Sequence, residues 1–540
     1  MHLNINKWWL ILLGSALWSL TMIKSGLLYS YGLGFWGPNG HDGVWHLALI
    51  ESLAKGSWQM PVFAGESLRN YHVGFDLLLA AIHRLSGLPT PLLYFQLTPP
   101  LLAILIGWLS YKFIKAWTKS DSAALWAVFF VYFGGSLGWL LGRGESAFWS
   151  HQAISTLVNP PFALSVAVLL GGLMALQQKR WWAAVLLLGL VFQVKVYAGI
   201  LVAVGLIVAA VYKRSKQLLL VWAGTAVLGG VLLSLTAGSA GKLVVWQPGW
   251  FLETMMGLSD RVNWPQFYSA MTNYRLGGQW LKAIAAYLVA FAIFWIGNMG
   301  TRISKELLVF SWAKKWRFLG WEEVFMATVI IAGGLLPMVF LQAGTPWNTI
   351  QFFYYALFFS GLLAGIAVAK MKSLGIKIAI VLLTLPTTWQ TLHHYLPTRP
   401  PAMLPNTEIA ALQFLAAQPP GVVLTYPYDP VAAKAAEASP PRPLYLYEST
   451  AYVAAFSQQP VYLEDEVNLN ITGFAWQDRR QQANNFFTTT TLATAHDFLT
   501  TNHIQYLYLA NVAKNRPVLG QTELGLRSIY ENSQVAIWAR

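Results

Sequence analysis

The chain has 540 residues, of which 56% are hydrophobic and 11% charged, with a mean hydropathy of +0.47. That balance excludes an ordinary soluble domain and indicates a polytopic membrane protein. The formal charge of +14 lies in short clusters between apolar runs and not in one patch, so it reports topology and argues against a nucleic-acid partner; the absence of Cys excludes disulfides and thiolate chemistry.

Apolar runs of roughly 17 to 25 residues can cross a bilayer. Read in order, the spans are Trp8–Ser30, Pro91–Ile114, Asp121–Leu141, Pro161–Leu176, Trp181–Gln193, Tyr197–Tyr212, Leu218–Thr236, Trp280–Asn298, Trp321–Leu341, Gln351–Ala369 and Ile376–His393, about eleven in all. The opening stretch, MHLNINKWWLILLGSALWSLTMIKSGLLYS, reads as an uncleaved signal-anchor, with Lys24 snorkelling from its interior. Basic residues gather after every second span, at Lys112, Lys115 and Lys119, at Lys179 and Arg180, at Lys213, Arg214 and Lys216, from Arg302 to Arg317, and from Lys370 to Lys377. By the positive-inside rule the amino terminus is then cytoplasmic and the carboxyl terminus external. This requires Gly74–Leu85, GFDLLLAAIHRL, to lie at the interface, as its short length and its Asp76, His83 and Arg84 suit.

The external loop 32–73 carries Asp42, His46, Glu51, Glu66 and His72 in a chain poor in charge. Polar groups concentrated at a membrane face mark a functional site. Asp42 and His46 are four apart, which puts both on one face of a helix beginning near Asp42. The pair suits a carboxylate with an orienting imidazole, or two ligands of one cation; the plainer alternatives are an N-cap at Asp42 and a hydrogen-bonded interfacial His46. Lys195, between two very apolar spans, has an energetic cost unless it meets an anion or snorkels to headgroups. In the loop Ala237–Gln279, Trp and Tyr form either an interfacial belt or a flap, with Arg261 and Arg275 available to a phosphate. Trp347, Asn348 and Gln351 enter a span from an outer loop.

After His394 the composition changes. Residues 396–406 are a Pro-rich linker, and 407–540 have the punctuation of a soluble α/β domain. Its helices are expected at Thr407–Gln418 and Thr491–Asn502. Its strands are expected at Gly421–Tyr426, Gln459–Glu464, Ile504–Leu509, Ser528–Tyr530 and Val535–Trp538.

The segment HDGVWHLALIESLAKG at His41–Gly56 resembles the acidic first external loop of bacterial GT-C membrane glycosyltransferases. The stretch from Asn70 to Trp117, NYHVGFDLLLAAIHRL and the span after it, is similar to the family's Tyr-His turn, apolar helix and basic-ended second span. PVYLEDEVNLNITGFAWQDRRQQANNFF and FLTTNHIQYLYL resemble the external α/β domain of many members. The resemblance implies a GT-C-like transmembrane domain over 1–395 and transfer of a sugar from a polyprenyl-phosphate donor to a glycan, lipid or protein acceptor at the outer face of a plasma membrane. It implies Asp42 as general base, Trp347, Asn348 and Gln351 against the sugar, and Mg²⁺ or Mn²⁺ on Asp42, His46 and Glu145; His72 suits a donor or acceptor phosphate and equally a packed turn beside Tyr71. Where many members carry a second acidic residue, this chain has Gly43, and Glu145 in RGESAFWSH is the replacement considered. Transport and a non-catalytic scaffold are the competing classes; a transporter is expected to show pseudo-repeated halves, which this sequence does not.

Overall fold

The first apolar helix spans Lys7–Ser19 and stops well short of Ser30. Hydroxyls end it: Ser19 Oγ donates to the Ser15 carbonyl at 2.6 Å and Thr21 Oγ1 to that of Trp18 at 2.7 Å. Leu27–Tyr29 then pairs antiparallel with Gly32–Phe35, so the second half of the expected first span is a β-hairpin. Lys24 lies beyond the helix, its ammonium 5.2 Å from the Trp36 ring centroid, and is no snorkelling residue of a span. The computed structural model describes residues 7–238 and 244–540; the first six residues of the signal-anchor reading and 239–243 of the aromatic loop lie outside the described residues.

The chain divides into two compact units. The first comprises Met1–Thr21, Thr98–Leu235 and Lys242–Tyr395. Among the described residues of the chain, nine helical runs are long and apolar enough to cross a membrane, and Trp181–Val194 is a shorter apolar helix. With Lys7–Ser19, these account for the eleven expected spans. One boundary differs: the run after Trp280 continues through Arg302 and Lys305 to Lys314, so those two cations belong to the run and not to a basic loop. Both are buried.

Small residues let these helices close on one another. A Cβ at Gly365 would stand 2.2 Å from the Ala127 nitrogen, so Gln351–Lys370 meets Asp121–Phe133 backbone to backbone. Gly14 and Gly107 make room for the Tyr132 ring, whose hydroxyl is bonded to Ser15 and donates to the Ala103 carbonyl.

The second unit gathers Met22–Leu97, Thr236–Gly241 and Leu396–Arg540. Its first sheet runs Leu27–Tyr29, Gly32–Phe35, Ala402–Pro405, Arg442–Pro443. Four residues of the stretch read as a linker, Ala402–Pro405, are therefore a strand, with Gly32 opposite Pro405 and Phe35 opposite Ala402. The second sheet runs Val422–Thr425, Ile504–Ala510, Val535–Ala539, Arg527–Glu531, with the first pair parallel and the others antiparallel. Leu424, Phe486, Phe487, Phe498, Leu507 and Trp538 fill the core against it. The helices Asn406–Ala416 and Leu492–Thr501 fall where the sequence puts them, but Gln459–Glu464 supplies one bridge, Val423 to Val461, and no strand.

Candidate functional site

In the second unit, a helix spans Asp42–Ala54, with Asp42 in its first turn. A carboxylate there is favoured by the helix dipole. The Asp42 side chain is 56% exposed, and its Oδ1 lies 2.9 Å from His41 Nδ1. Burial alone would lower the His41 pKa; the adjacent Asp42 carboxylate, helped by Asp465, more than offsets this and leaves it raised. Asp465 comes from the carboxyl part of the chain, in LEDE, and is close enough that Asp42 and His41 both act on it. Burial first, with a contribution from Asp42, pushes the Asp465 carboxyl up to about 7 against hydrogen bonds from Asn468.

Where many GT-C members carry a second acid, this chain has Gly43, and the space there is tight. A Cβ at Gly43 would stand 2.8 Å from two ring carbons of Phe95, so a side chain at this position requires the Phe95 ring to shift. Asp465 is the second carboxylate of this neighbourhood, and the order of the sequence gives no sign of it.

His46 does not orient Asp42. Its Nδ1 lies 2.7 Å from Asp76 Oδ1, both side chains are buried, and its ring stacks on Tyr94 with centroids 5.6 Å apart. Asp76, expected at an interface, is fully buried because it partners this imidazole. Glu51 accepts from Thr90 at 2.6 Å, and Glu66 lies 3.8 Å from Arg69. His72 stacks on Tyr71 with centroids 4.7 Å apart, and burial, then Asp76, raises the Tyr71 pKa well above its ordinary value.

In the first unit, Glu145 is 5% exposed and fixes the loop that follows Asp121–Phe133. Its Oε2 accepts from the Gln152 amide at 3.0 Å; its Oε1 accepts from Ser155 at 2.6 Å and from Tyr395 at 3.2 Å. With both oxygens engaged by donors, Glu145 holds structure, contrary to its expected part as a second catalytic carboxylate. Among the described residues no group of three His, Asp or Glu is gathered to hold a metal ion. Of the three residues expected to hold a cation, His46 is bonded to Asp76, and Glu145, in the first unit, to Gln152, Ser155 and Tyr395.

Several sugar- or phosphate-facing candidates do come together in the first unit. Lys195 is 4% exposed in the break between Trp181–Val194 and Val196–Lys213; its Nζ reaches Asn159 Oδ1 at 3.4 Å and lies 5.8 Å from the Tyr197 ring centroid. It does not snorkel. Tyr197 donates to Gln342 Oε1 at 2.9 Å, which also accepts from Asn348 at 3.2 Å, and Gln351 donates to Asn348. Trp347 stacks on Trp149, whose ring centroid is also 4.8 Å from the Arg261 guanidinium. Arg261 is also paired with Asp260 at 2.9 Å, and burial lowers its pKa. Arg275 stands apart, bound to Glu253 at 3.1 Å and to Tyr287.

Residues that sequence reasoning passed over are His41, Asp465, Trp149, Tyr197, Gln342 and Arg302. Arg302, 2% exposed, is bonded to Gln152 and to the Asn298 carbonyl at 2.7 Å. Its only sequence signal was misleading, since it sits in a run of basic residues that reads as a cytoplasmic loop.

No family model matches the chain, and no curated protein matches it in sequence. Among solved structures it is similar to the oligosaccharyltransferase of Archaeoglobus fulgidus, determined with Zn and sulfate, at 11% identity and a TM-score of 0.52, covering 93% of this chain and 68% of that one. It is also similar to ArnT from Cupriavidus metallidurans in the apo state (11% identity, TM-score 0.47, 98% and 97% covered) and to the arabinofuranosyltransferase AftD from Mycobacteria (13%, 0.49, 99% and 40%). The first of these carries the fold assignment: the chain is a polytopic helical membrane protein with a GT-C-like fold and a carboxyl-terminal α/β domain.

Proposed function

We propose that the protein is an integral membrane glycosyltransferase that moves a sugar from a polyprenyl-phosphate donor to a hydroxyl of a glycan, lipid or protein acceptor. The observation that carries this is Asp42: in a chain with this fold, it is the acid of the first external loop whose carboxylate stands exposed at a helix start with an imidazole beside it. Asp42 takes the acceptor O–H proton as the acceptor oxygen forms its bond to the anomeric carbon. The bond from that carbon to the phosphate oxygen breaks, and the polyprenyl phosphate leaves with the electron pair. His41 holds the carboxylate in position.

The first unit, taken by itself, holds groups suited to a donor. Lys195, buried, and Arg261, half-buried, are the cations suited to a donor phosphate, since an ammonium or guanidinium withdrawn from water gains most from an anion. Trp347, Asn348 and Gln351 are the sugar-facing groups, with Trp149 and Gln342 supporting them. Arg275, held by both Glu253 and the Tyr287 hydroxyl, is given no part. The distribution of Lys and Arg supports a carboxyl-terminal domain and a loop 32–73 outside a plasma membrane.

The test is transfer of radiolabel from a pool of polyprenyl-phosphate sugars into lipid, glycan and protein fractions, comparing membranes that hold the intact chain with membranes that hold Asp42→Asn at equal expression. Label incorporated by the intact chain alone supports the reading. Equal incorporation removes Asp42 as base, and no incorporation from any donor favours transport.

A further inference from the structure

The second unit contains a cavity of about 460 Å³ built wholly from residues of its carboxyl-terminal part. That volume falls in the range of small-molecule sites, about 300 to 1,000 Å³. Its wall includes Tyr428, Tyr447, Thr450, Glu464, Glu466 and Arg480. The apolar part of the wall is mostly small, five of its residues being Ala, and it alternates with carboxyl, hydroxyl, amide and cationic groups.

The polar groups are held in place from behind. Glu464 accepts from the Val453 and Ala454 amides at 3.1 and 3.0 Å, and Glu466 lies 3.0 Å from Arg480, which sits 6.0 Å from the Tyr428 ring centroid. Burial pushes the Glu464 carboxyl up to about 8 and that of Glu466 to about 7. Thr450 supplies the independent sign of a missing ligand: its side chain is 6% exposed, and its Oγ1 has no hydrogen-bond partner. An unpartnered buried hydroxyl costs stability, and such groups are rare.

Flat tyrosine faces, mixed donors and acceptors and an unpartnered hydroxyl together match one chemistry, a ring with apolar C–H faces and hydroxyls around its edge. A simple cation fits less well, because Arg480 and Lys514 share the wall. Asp465 lines the same cavity and is the carboxyl acted on by Asp42 and His41. We infer that this cavity binds saccharide units of an acceptor glycan. Its role as an acceptor site rests on the glycosyltransferase reading; saccharide binding itself does not.

The experiment uses the full chain in lipid nanodiscs, labelled and applied to a printed array of defined neutral, amino and acidic oligosaccharides, with the best binder then titrated by calorimetry. The intact chain is expected to bind. Tyr428→Ala should weaken binding about tenfold by removing a stacking face, and Thr450→Val about threefold by removing one hydrogen bond. Thr450→Val should leave the melting temperature unchanged or higher, since it deletes an unpartnered hydroxyl. Capture of no saccharide, equal capture by both variants, or capture only of free amines that salt abolishes would each overturn the inference. Binding without transfer would keep the cavity and remove the glycosyltransferase; transfer without binding would do the reverse.

Discussion

Asp42 and Glu145 are the two acids expected in successive external loops, and the structure gives them opposite lives. Glu145 is buried, and both of its oxygens accept hydrogen bonds that tie a loop to Tyr395. Asp42 is 56% exposed, with His41 beside it at a helix start. A carboxylate held by several internal donors is a structural clamp, and one that keeps its face to solvent can exchange a proton with a substrate. Fixing a loop and doing chemistry make opposite demands on the same functional group.

That contrast breaks most readily at Asp42. Replacing it with Asn should lower transfer by about 10² to 10⁴-fold, as for loss of a general base, with the melting temperature unchanged; a parallel loss of folding would make Asp42 a clamp like Glu145. Glu145→Ala is expected to act the other way, strandeding the Gln152 amide and the Ser155 and Tyr395 hydroxyls and lowering stability by about 3 kcal/mol. In a detergent melt with matched activity assays, activity lost in proportion to the folded fraction fits a clamp. Loss from fully folded protein would restore Glu145 to catalysis.

Gly43→Ala sharpens the comparison from beside Asp42. Gly to Ala inside a helix normally adds stability, by roughly 0.5–1 kcal/mol. Here the new methyl meets Phe95, and we expect a loss of about 2 kcal/mol. Phe95→Leu in the same background should recover most of it in the thermal melt; no recovery would separate Gly43 from Phe95.

The smallest expected effect is on pH. Glu464 and Asp465 have folded pKa values of about 8 and about 7 against ordinary values of 4.5 and 3.8. Both are raised, so their stabilising contribution is complete below the ordinary values and is lost as pH rises through the folded ones; His41, also raised, has the same sign. The second unit should melt a few degrees lower at pH 8 than at pH 5. Glu464→Gln should flatten that slope, and a melt that rises with pH would refute it.

Much of the architecture was readable because its signals are local. Apolar runs of sufficient length, basic clusters and β-branched alternation placed the helices of the first unit and most elements of the carboxyl domain. The hairpin after Ser19 was missed because Leu27, Leu28 and Tyr29 are as apolar as a span, and only Ser, Thr and Gly spacing marks the break. The site was less legible. Asp42 stands out by charge in a greasy chain, but its companion Asp465 lies in another part of the sequence, and spacing cannot bring them together. Helical periodicity placed His46 with Asp42 and had no means of foreseeing Asp76, whose buried carboxylate claims the imidazole. Arg302 was misplaced because a run of cations looks the same whether it is exposed or enclosed.

The pairing of Gly32–Phe35 with Ala402–Pro405 also sets a timetable. Trp36 donates to the Pro397 carbonyl, a partner 361 positions away in the chain. At a translation rate of about 5 to 20 residues per second, the loop bearing Asp42 waits roughly 20–70 s for its neighbouring strand. During that interval the nascent protein inserts its spans with this loop unfinished, and a ribosome stalled late in the message would release a membrane-embedded chain without its acid site.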